Sequence, residues 1–237
     1  MKFVVKFFSE IAIKSKPVRR RFVTQLNENL RLVLKDIDSE VIVYRAWDRL
    51  EVETAVEDPA RLAQMVEAMR NTSGISYILE VVECPLPELD ELIDKVLPVY
   101  SDRLAGKTFA VRCKRHGDHA FTSVQVERML GEALLARTDA AGVKLKDPEV
   151  RVELEISKKT LFVIGRRHKG IDGYPVCSVD PVISLLSGGF DSPVASYMTM
   201  KRGMRTHFLF FNVGGRDHEV AVKEVALFLW QKYGCNQ

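Results

Sequence analysis

The run Val182-Ile183-Ser184-Leu185-Leu186 delivers the chain into Ser187-Gly188-Gly189-Phe190-Asp191-Ser192, after which Val194, Ala195, Tyr197, Met198 and Met200 continue at helical spacing. An apolar strand, a two-glycine turn and a helix in that order commit this stretch to an α/β layer with the turn at the carboxyl end of a strand. The two glycines are expected to adopt backbone conformations closed to other residues, leaving main-chain N–H groups free to face an anion. The unpaired first-turn N–H groups and positive dipole end of the following helix favour phosphate oxygens, and Ser187 and Ser192 add hydroxyl donors. The pattern reads as a phosphate-binding turn and points to a nucleotide. It is not a Walker A loop, because there is no Gly-x-x-x-x-Gly-Lys-Ser/Thr and hence no lysine on a terminal phosphate. The plainer alternative is a Gly-Gly turn joining a strand to a capped helix.

Beyond the turn, Thr206 to Phe211 is an apolar run suited to a buried parallel strand, and Val220 to Trp230 forms an amphipathic helix with Val222, Val225, Ala226 and Leu229 inward. This begins a doubly wound α/β domain. Ligands of such sheets lie beyond the carboxyl ends of the strands, so 210–215 should also border the nucleotide. Phe210 and Phe211 are candidates to pack an adenine, with core burial the equal alternative for one of them.

The first eighty or so residues alternate between periods. Phe3 to Phe8 reads as a strand; Phe22, Leu26, Leu30, Val33 and Leu34 recur at helical spacing; Val41 to Tyr44 and Leu50 to Val52 read as strands around a turn near Trp47-Asp48. Leu62, Met65, Val66 and Met69 follow Pro59 as a second helix, and Ile75 to Val82 gives a last strand. The order βαββαβ predicts a ferredoxin-like domain over 1–82, two helices covering one face of an antiparallel sheet.

Cys84-Pro85-Leu86-Pro87 marks a domain boundary. In 83–165, helical patterns at 89–97 and 124–134 flank a strand at 108–113. Val150, Val152, Leu154 and Ile156 then alternate with Arg151, Glu153 and Glu155, a strand with one solvated face, and Leu161 to Ile164 pairs back beside it. The segment 166–175, with Arg166, Arg167, Gly170 and Gly173, reads as a short, basic, flexible linker. The truncated start of the nucleotide domain occupies 176–237.

A net charge of +3 says little about partners, but its distribution is uneven. Lys14, Lys16, Arg19, Arg20 and Arg21 form one basic cluster, Arg103, Lys107, Arg112, Lys114 and Arg115 a second, and Lys158, Lys159, Arg166, Arg167 and Lys169 a third. Together they favour a polyanion, since neutralised phosphates release counterions. A period of two puts Arg112 and Lys114 on one face of their strand, with Arg115 at its exit. Solvated charge on an open sheet face is the competing reading for each of them. His116-Gly117-Asp118-His119 lacks the further ligands of a closed metal site, and no metal-binding residue is assigned. The four cysteines show no C-x-x-C pair, which suits reduced thiols in the cytoplasm, and no stretch is long enough to span a bilayer.

The turn at 187–192 resembles the SGGxDS motif of the PP-loop ATP pyrophosphatases. That resemblance implies ATP with Mg²⁺ as cofactor, Asp191 as the catalytic residue organising the magnesium pyrophosphate, and the backbone of Leu185 and Leu186 against the adenosine. Val143 to Leu154 resembles a THUMP domain, an RNA-binding module. With the opening Met1 to Lys16, Trp47-Asp48 and Leu185 through Ser192, the whole chain resembles the tRNA 4-thiouridine synthetase (ThiI) family. The resemblance implies adenylation of uridine 8 of tRNA, replacement of its O4 by persulfide sulfur, and sulfur transfer for the thiazole of thiamine. The implied partners are tRNA, a cysteine desulfurase, a thiazole sulfur-carrier protein and a second copy in a homodimer. The family's sulfur-carrying cysteines match neither Cys177 nor Cys235, so the sequence is expected to be a fragment, inactive alone. Another THUMP/PP-loop tRNA-modifying enzyme and a non-catalytic tRNA-binding module are the rival readings.

Overall fold

The computed structural model describes residues 1–46 and 48–235; Trp47 lies outside the described residues. The chain divides into two compact units, one of Met1, 3–78 and 168–237, the other of Lys2 and 79–167.

In the first unit, Lys2–Phe7 (β1) leads through a short helix, Ser9–Ala12 (α1), into Lys16–Lys35 (α2), then Ile42–Arg45 (β2), Arg49–Glu53 (β3), Pro59–Arg70 (α3) and the start of Ile75–Pro85 (β4). This is the expected βαββαβ order, with strands arranged β2-β3-β1-β4 and β2 antiparallel to β3 at Val43↔Val52. α2 opens with Pro17 in its first turn, where the missing N–H costs nothing, and turns Phe22, Leu26, Leu30 and Leu34 inward. α3 opens the same way on Pro59, and the Asp58 carboxylate accepts from Arg61 N at 2.8 Å. These faces meet Phe3, Val5, Leu50, Val52, Met65, Met69 and Ile75 in one core, each fully buried leucine there contributing about 1.5–3 kcal/mol.

The second unit carries Leu92–Leu104 (α4), Thr108–His116 (β5), Ser123–Arg137 (α5), Gly142–Val143 (β6), Val150–Ser157 (β7) and the first part of Thr160–Asp172 (β8). Its strands run β8-β7-β5-β6, with β5 parallel to β7 and β7 antiparallel to β8. A reciprocal capping box between Thr122 and Gln125 starts α5. Tyr100 on α4 donates to Ile164 O and accepts from Glu153 N at 3.0 Å, so its hydroxyl is satisfied inside the core.

Several expectations are corrected. The segment 166–172 is the second half of β8, so these residues are strand and the flexible linker is not formed over them. β4 likewise continues through Cys84 to Pro85, at which proline ends the ladder because it has no N–H to give. The turn that does follow β8 is at Gly173: its φ is +85°, and a Cβ there would overlap the Lys201 carbonyl. Glu155, expected on a solvated face, is buried, because its strand is interior and its register neighbours are Lys114 and Phe162.

Back in the first unit, Val179–Leu185 (β9), Asp191–Lys201 (α6), Met204–Leu209 (β10) and Gly215–Tyr233 (α7) complete the described chain. β9 and β10 form a two-stranded parallel sheet, joined through α6 in a βαβ unit. β10 stops at Leu209, which moves Phe210 and Phe211 into the loop that follows; α7 begins earlier and ends later than the pattern at 220–230. No helix among the described residues is long and apolar enough to cross a membrane.

Candidate functional site

Leu185 pairs with Leu209 at the end of the parallel sheet, and Leu186 N donates to Leu209 O at 2.9 Å. The two chain segments 186–190 and 210–214 therefore leave the sheet side by side at its carboxyl edge. Helix α6 is fixed to one face of the sheet by two hydroxyl contacts, Ser184 Oγ to Ser196 Oγ at 2.8 Å and Thr199 Oγ1 to Thr206 Oγ1 at 2.9 Å. On that face Leu186, Met200, Val222 and Leu229 are buried together, with Phe208 and Phe210 packed against them.

The turn itself is closed by its serines. Ser187 N donates to Ser192 Oγ at 2.8 Å, and the two hydroxyls lie 2.9 Å apart. This clasp ties the strand exit to the first turn of α6 and leaves 188–190, the bay between them, exposed to solvent. The amides of Gly188 and Gly189 have no hydrogen-bond partner among the described residues. Backbone donors held at a helix N-terminus with no internal acceptor are suited to an anion. Asp191, the first residue of α6, is exposed beside them, and Phe190 is 93 % exposed.

The glycines are not there for the reason the sequence suggested. Neither Gly188 nor Gly189 takes a positive φ. A Cβ on Gly188 would instead lie 3.0 Å from Nε2 of His218, in the first turn of α7. A Cβ on Gly214 would lie 2.7 Å from Nδ1 of the same imidazole, and the Phe210 ring meets it edge-on with centroids 5.1 Å apart. His218 thus occupies a slot between the two strand-end segments, a residue that sequence reasoning left without a partner. The signal was present as a second glycine pair, Gly214-Gly215, at the start of the helix that follows the second strand.

The structure brings together Leu186, Ser187, Gly188, Gly189, Asp191, Ser192 and Phe210 from the expected nucleotide set. Phe210 is the phenylalanine that packs on the core, whereas Phe211 is exposed. The Leu185 side chain, 62 % exposed, lies on the sheet face opposite α6, leaving only its backbone at the edge.

The basic residues divide between the units. In the first, Lys16 and Arg20 are exposed on the opening turns of α2 and line a groove of about 730 Å³ with Arg21, Thr24 and Gln25. Lys14 Nζ lies 5.4 Å over the Tyr174 ring, and Arg19 is half-buried. In the second, Arg112 donates to Leu145 O at 2.7 Å and holds the loop before β7, while Arg115 donates to Gly117 O at 3.1 Å. Arg167 grips both oxygens of Glu153 at 3.1 and 3.4 Å. Lys114 and Arg166 are exposed. His119 is engaged by the fold, its Nε2 2.6 Å from Lys158 O.

All four cysteines are free thiols. Burial pushes the Cys113 thiol up to about 11 and that of Cys235 up to about 12, and it raises Cys84 and Cys177 as well. A thiol held protonated is a poor nucleophile, and burial acts in that direction on all four.

Residues 2–78 match the family described as the ThiI ferredoxin-like domain, 87–164 the THUMP domain, and 177–237 thiamine biosynthesis protein (ThiI). Over its full length the chain is 54 % identical to proteins named tRNA sulfurtransferase from Pseudomonas aeruginosa and from Azotobacter vinelandii, covering 49 % of each. The chain therefore spans about half the length of the curated relatives it matches. Among solved structures, a 4-thiouridine synthetase–RNA complex with bound ATP superposes with a TM-score of 0.84 at 21 % identity, over 99 % of this chain and 59 % of that one. A protein of Pyrococcus horikoshii superposes with a TM-score of 0.80 at 20 % identity, over 98 % and 76 %. At such identities these two likenesses speak to the fold, a ferredoxin-like domain, a THUMP domain and the start of a PP-loop domain in that order.

Proposed function

The chain belongs to the ThiI family, and on that premise we propose that it is the tRNA-gripping and ATP-binding half of a tRNA sulfurtransferase. The protein at its natural length adenylates uridine 8 of tRNA and exchanges O4 for persulfide sulfur. The observation that carries this reading is the bay at 187–192, with free amides at Gly188 and Gly189 between two clasped serines and beside the Asp191 carboxylate.

In this reading residues 1–82 and 83–165 hold folded RNA through shape and backbone charge, with Lys16, Arg20, Lys114 and Arg166 the side chains most open to phosphates. Residues 176–237 begin the ATP-binding layer. The amides of Gly188 and Gly189 and the Ser187 hydroxyl hold the departing diphosphate, Ser192 Oγ bracing the turn through Ser187, and fixed donors aimed at developing charge stabilise it without reorganisation. The backbone of Leu185 and Leu186 and the exposed Phe211 border the nucleoside. Holding base and nucleotide together converts a two-substrate encounter into an intramolecular attack.

The donor chemistry fits a magnesium ion bound chiefly by phosphates. Asp191 is an exposed carboxylate at the bay, and no group of three or more metal-ligating side chains exists among the described residues. Mg²⁺ takes one or two carboxylates with substrate phosphates in such sites, and supplies charge neutralisation when bound. A cysteine desulfurase as sulfur donor, a thiazole sulfur carrier, a homodimer and a cytoplasmic setting complete the proposal.

The test is Asp191→Ala in the natural-length protein, followed by tRNA-dependent release of pyrophosphate from ATP. The variant is expected to lose roughly 100-fold or more in turnover, the scale of removing one electrostatic stabiliser, with tRNA affinity unchanged. Undiminished release by the variant removes Asp191 from the chemistry. Release without RNA in the wild type favours a small-molecule ligase, and no release at all favours a tRNA-binding module.

A further inference from the structure

We propose that His218 is a phosphate-contacting residue of this bay, sensing the diphosphate end of the nucleotide; the inference rests on the ATP reading above. The imidazole is located by three neighbours from two chain segments: the bare α-carbons of Gly188 and Gly214 and the edge of Phe210. Its Nε2 faces Gly188, the residue whose amide opens into the bay, and the clearance left for a Cβ there is only 3.0 Å. Because Gly188 needs no special φ, the absence of a side chain at 188 is explained by room for this ring. The same holds for Gly214, where φ is also not positive and the ring's Nδ1 stands 2.7 Å from a would-be Cβ.

An imidazole serving only as core filler is buried with its nitrogens paired. His218 is half-buried, and neither ring nitrogen has a hydrogen-bond partner among the described residues. A ring N–H held in a fitted slot next to free backbone donors adds a directed donor to an anion site, and donors to charged acceptors are the strong class of hydrogen bond. Its Nε2 stands against Gly188, one of the two residues whose unpartnered amides are assigned to the phosphates, and on that contact the ring is assigned to the phosphates rather than the nucleoside.

The experiment is calorimetric titration of the natural-length protein with ATP and, separately, with AMP, for wild type, His218→Ala and His218→Gln. His218→Ala is expected to weaken ATP about tenfold, the scale of one hydrogen bond to a charged acceptor, while AMP changes less than twofold. His218→Gln keeps an N–H donor and is expected to recover most of the ATP affinity. Equal weakening of ATP and AMP overturns the proposal, since the ring then only props the turn and Phe210; unchanged ATP affinity overturns it as well. Should the wild type bind neither nucleotide, the ATP reading itself falls, an outcome separate from failure of the histidine.

Discussion

Two regions of the same compact unit bury their apolar residues very differently. In the ferredoxin-like region, Phe3, Leu26, Leu30, Leu34, Leu50, Met65, Met69 and Ile75 are withdrawn completely from solvent. In the α/β layer that follows Val176, the core is Leu186, Met200, Val222 and Leu229. There Ile183, on the sheet face opposite α6, is 70 % exposed, and Leu185 and Leu209 share that bare face. Parallel sheets are normally covered on both sides, so this layer is one-sided. What it lacks in its own core it draws from its neighbour: Tyr174 packs on Phe8 and Phe22, and the fully buried Asn29 donates to Val176 O at 3.1 Å. A region that closes its own core is stable by its own sequence, whereas a one-sided layer is stable by where it is moored.

Three substitutions sharpen or break that contrast. Phe3→Ala is expected to destabilise the protein by about 3–5 kcal/mol in denaturant unfolding, the range for deleting a buried aromatic ring; a loss under 1 kcal/mol would show that the ferredoxin-like core is not self-sufficient. Asn29→Ala leaves the Val176 carbonyl without its donor and should cost about 1–3 kcal/mol. Its specific signature is faster amide exchange in β9 than in β1, and equal exchange would mean that the mooring lies elsewhere. Ile183→Thr, on the bare face, should change stability by no more than about 0.5 kcal/mol. A large loss from it would reveal that this face is already covered in solution.

Much of the fold was legible because apolar period reports directly on burial. The βαββαβ order followed from the spacing of Phe22, Leu26 and Leu30 and the alternation around Val43 and Val52. Where the sequence misled, long-range pairing had overridden local signals. Arg166, Arg167 and Gly170 look like a connector, yet β8 runs through them; Glu155 looks solvated, yet it sits on an interior strand. At the candidate site, the strand, turn and helix were all readable, as was the closeness of Phe210 to the turn. His218 was not, because Gly188 is distant from it in sequence and is brought to it only by the parallel pairing of β9 and β10, while Gly214, one helical turn before it, gives no sign by itself of a shared slot. The division of arginines was equally hidden: Arg112, Arg115 and Arg167 hold protein oxygens, a distinction that charge clustering does not carry.

Under the proposed nucleotide reading, the serine clasp across 187–192 bears on the tempo of binding. With Ser187 and Ser192 already joined, the turn's shape is settled when the chain folds, and no loop has to be gathered around an incoming anion. On that reading association is expected to run near the pace of oriented encounter, with differences in affinity among ligands written in how slowly each departs.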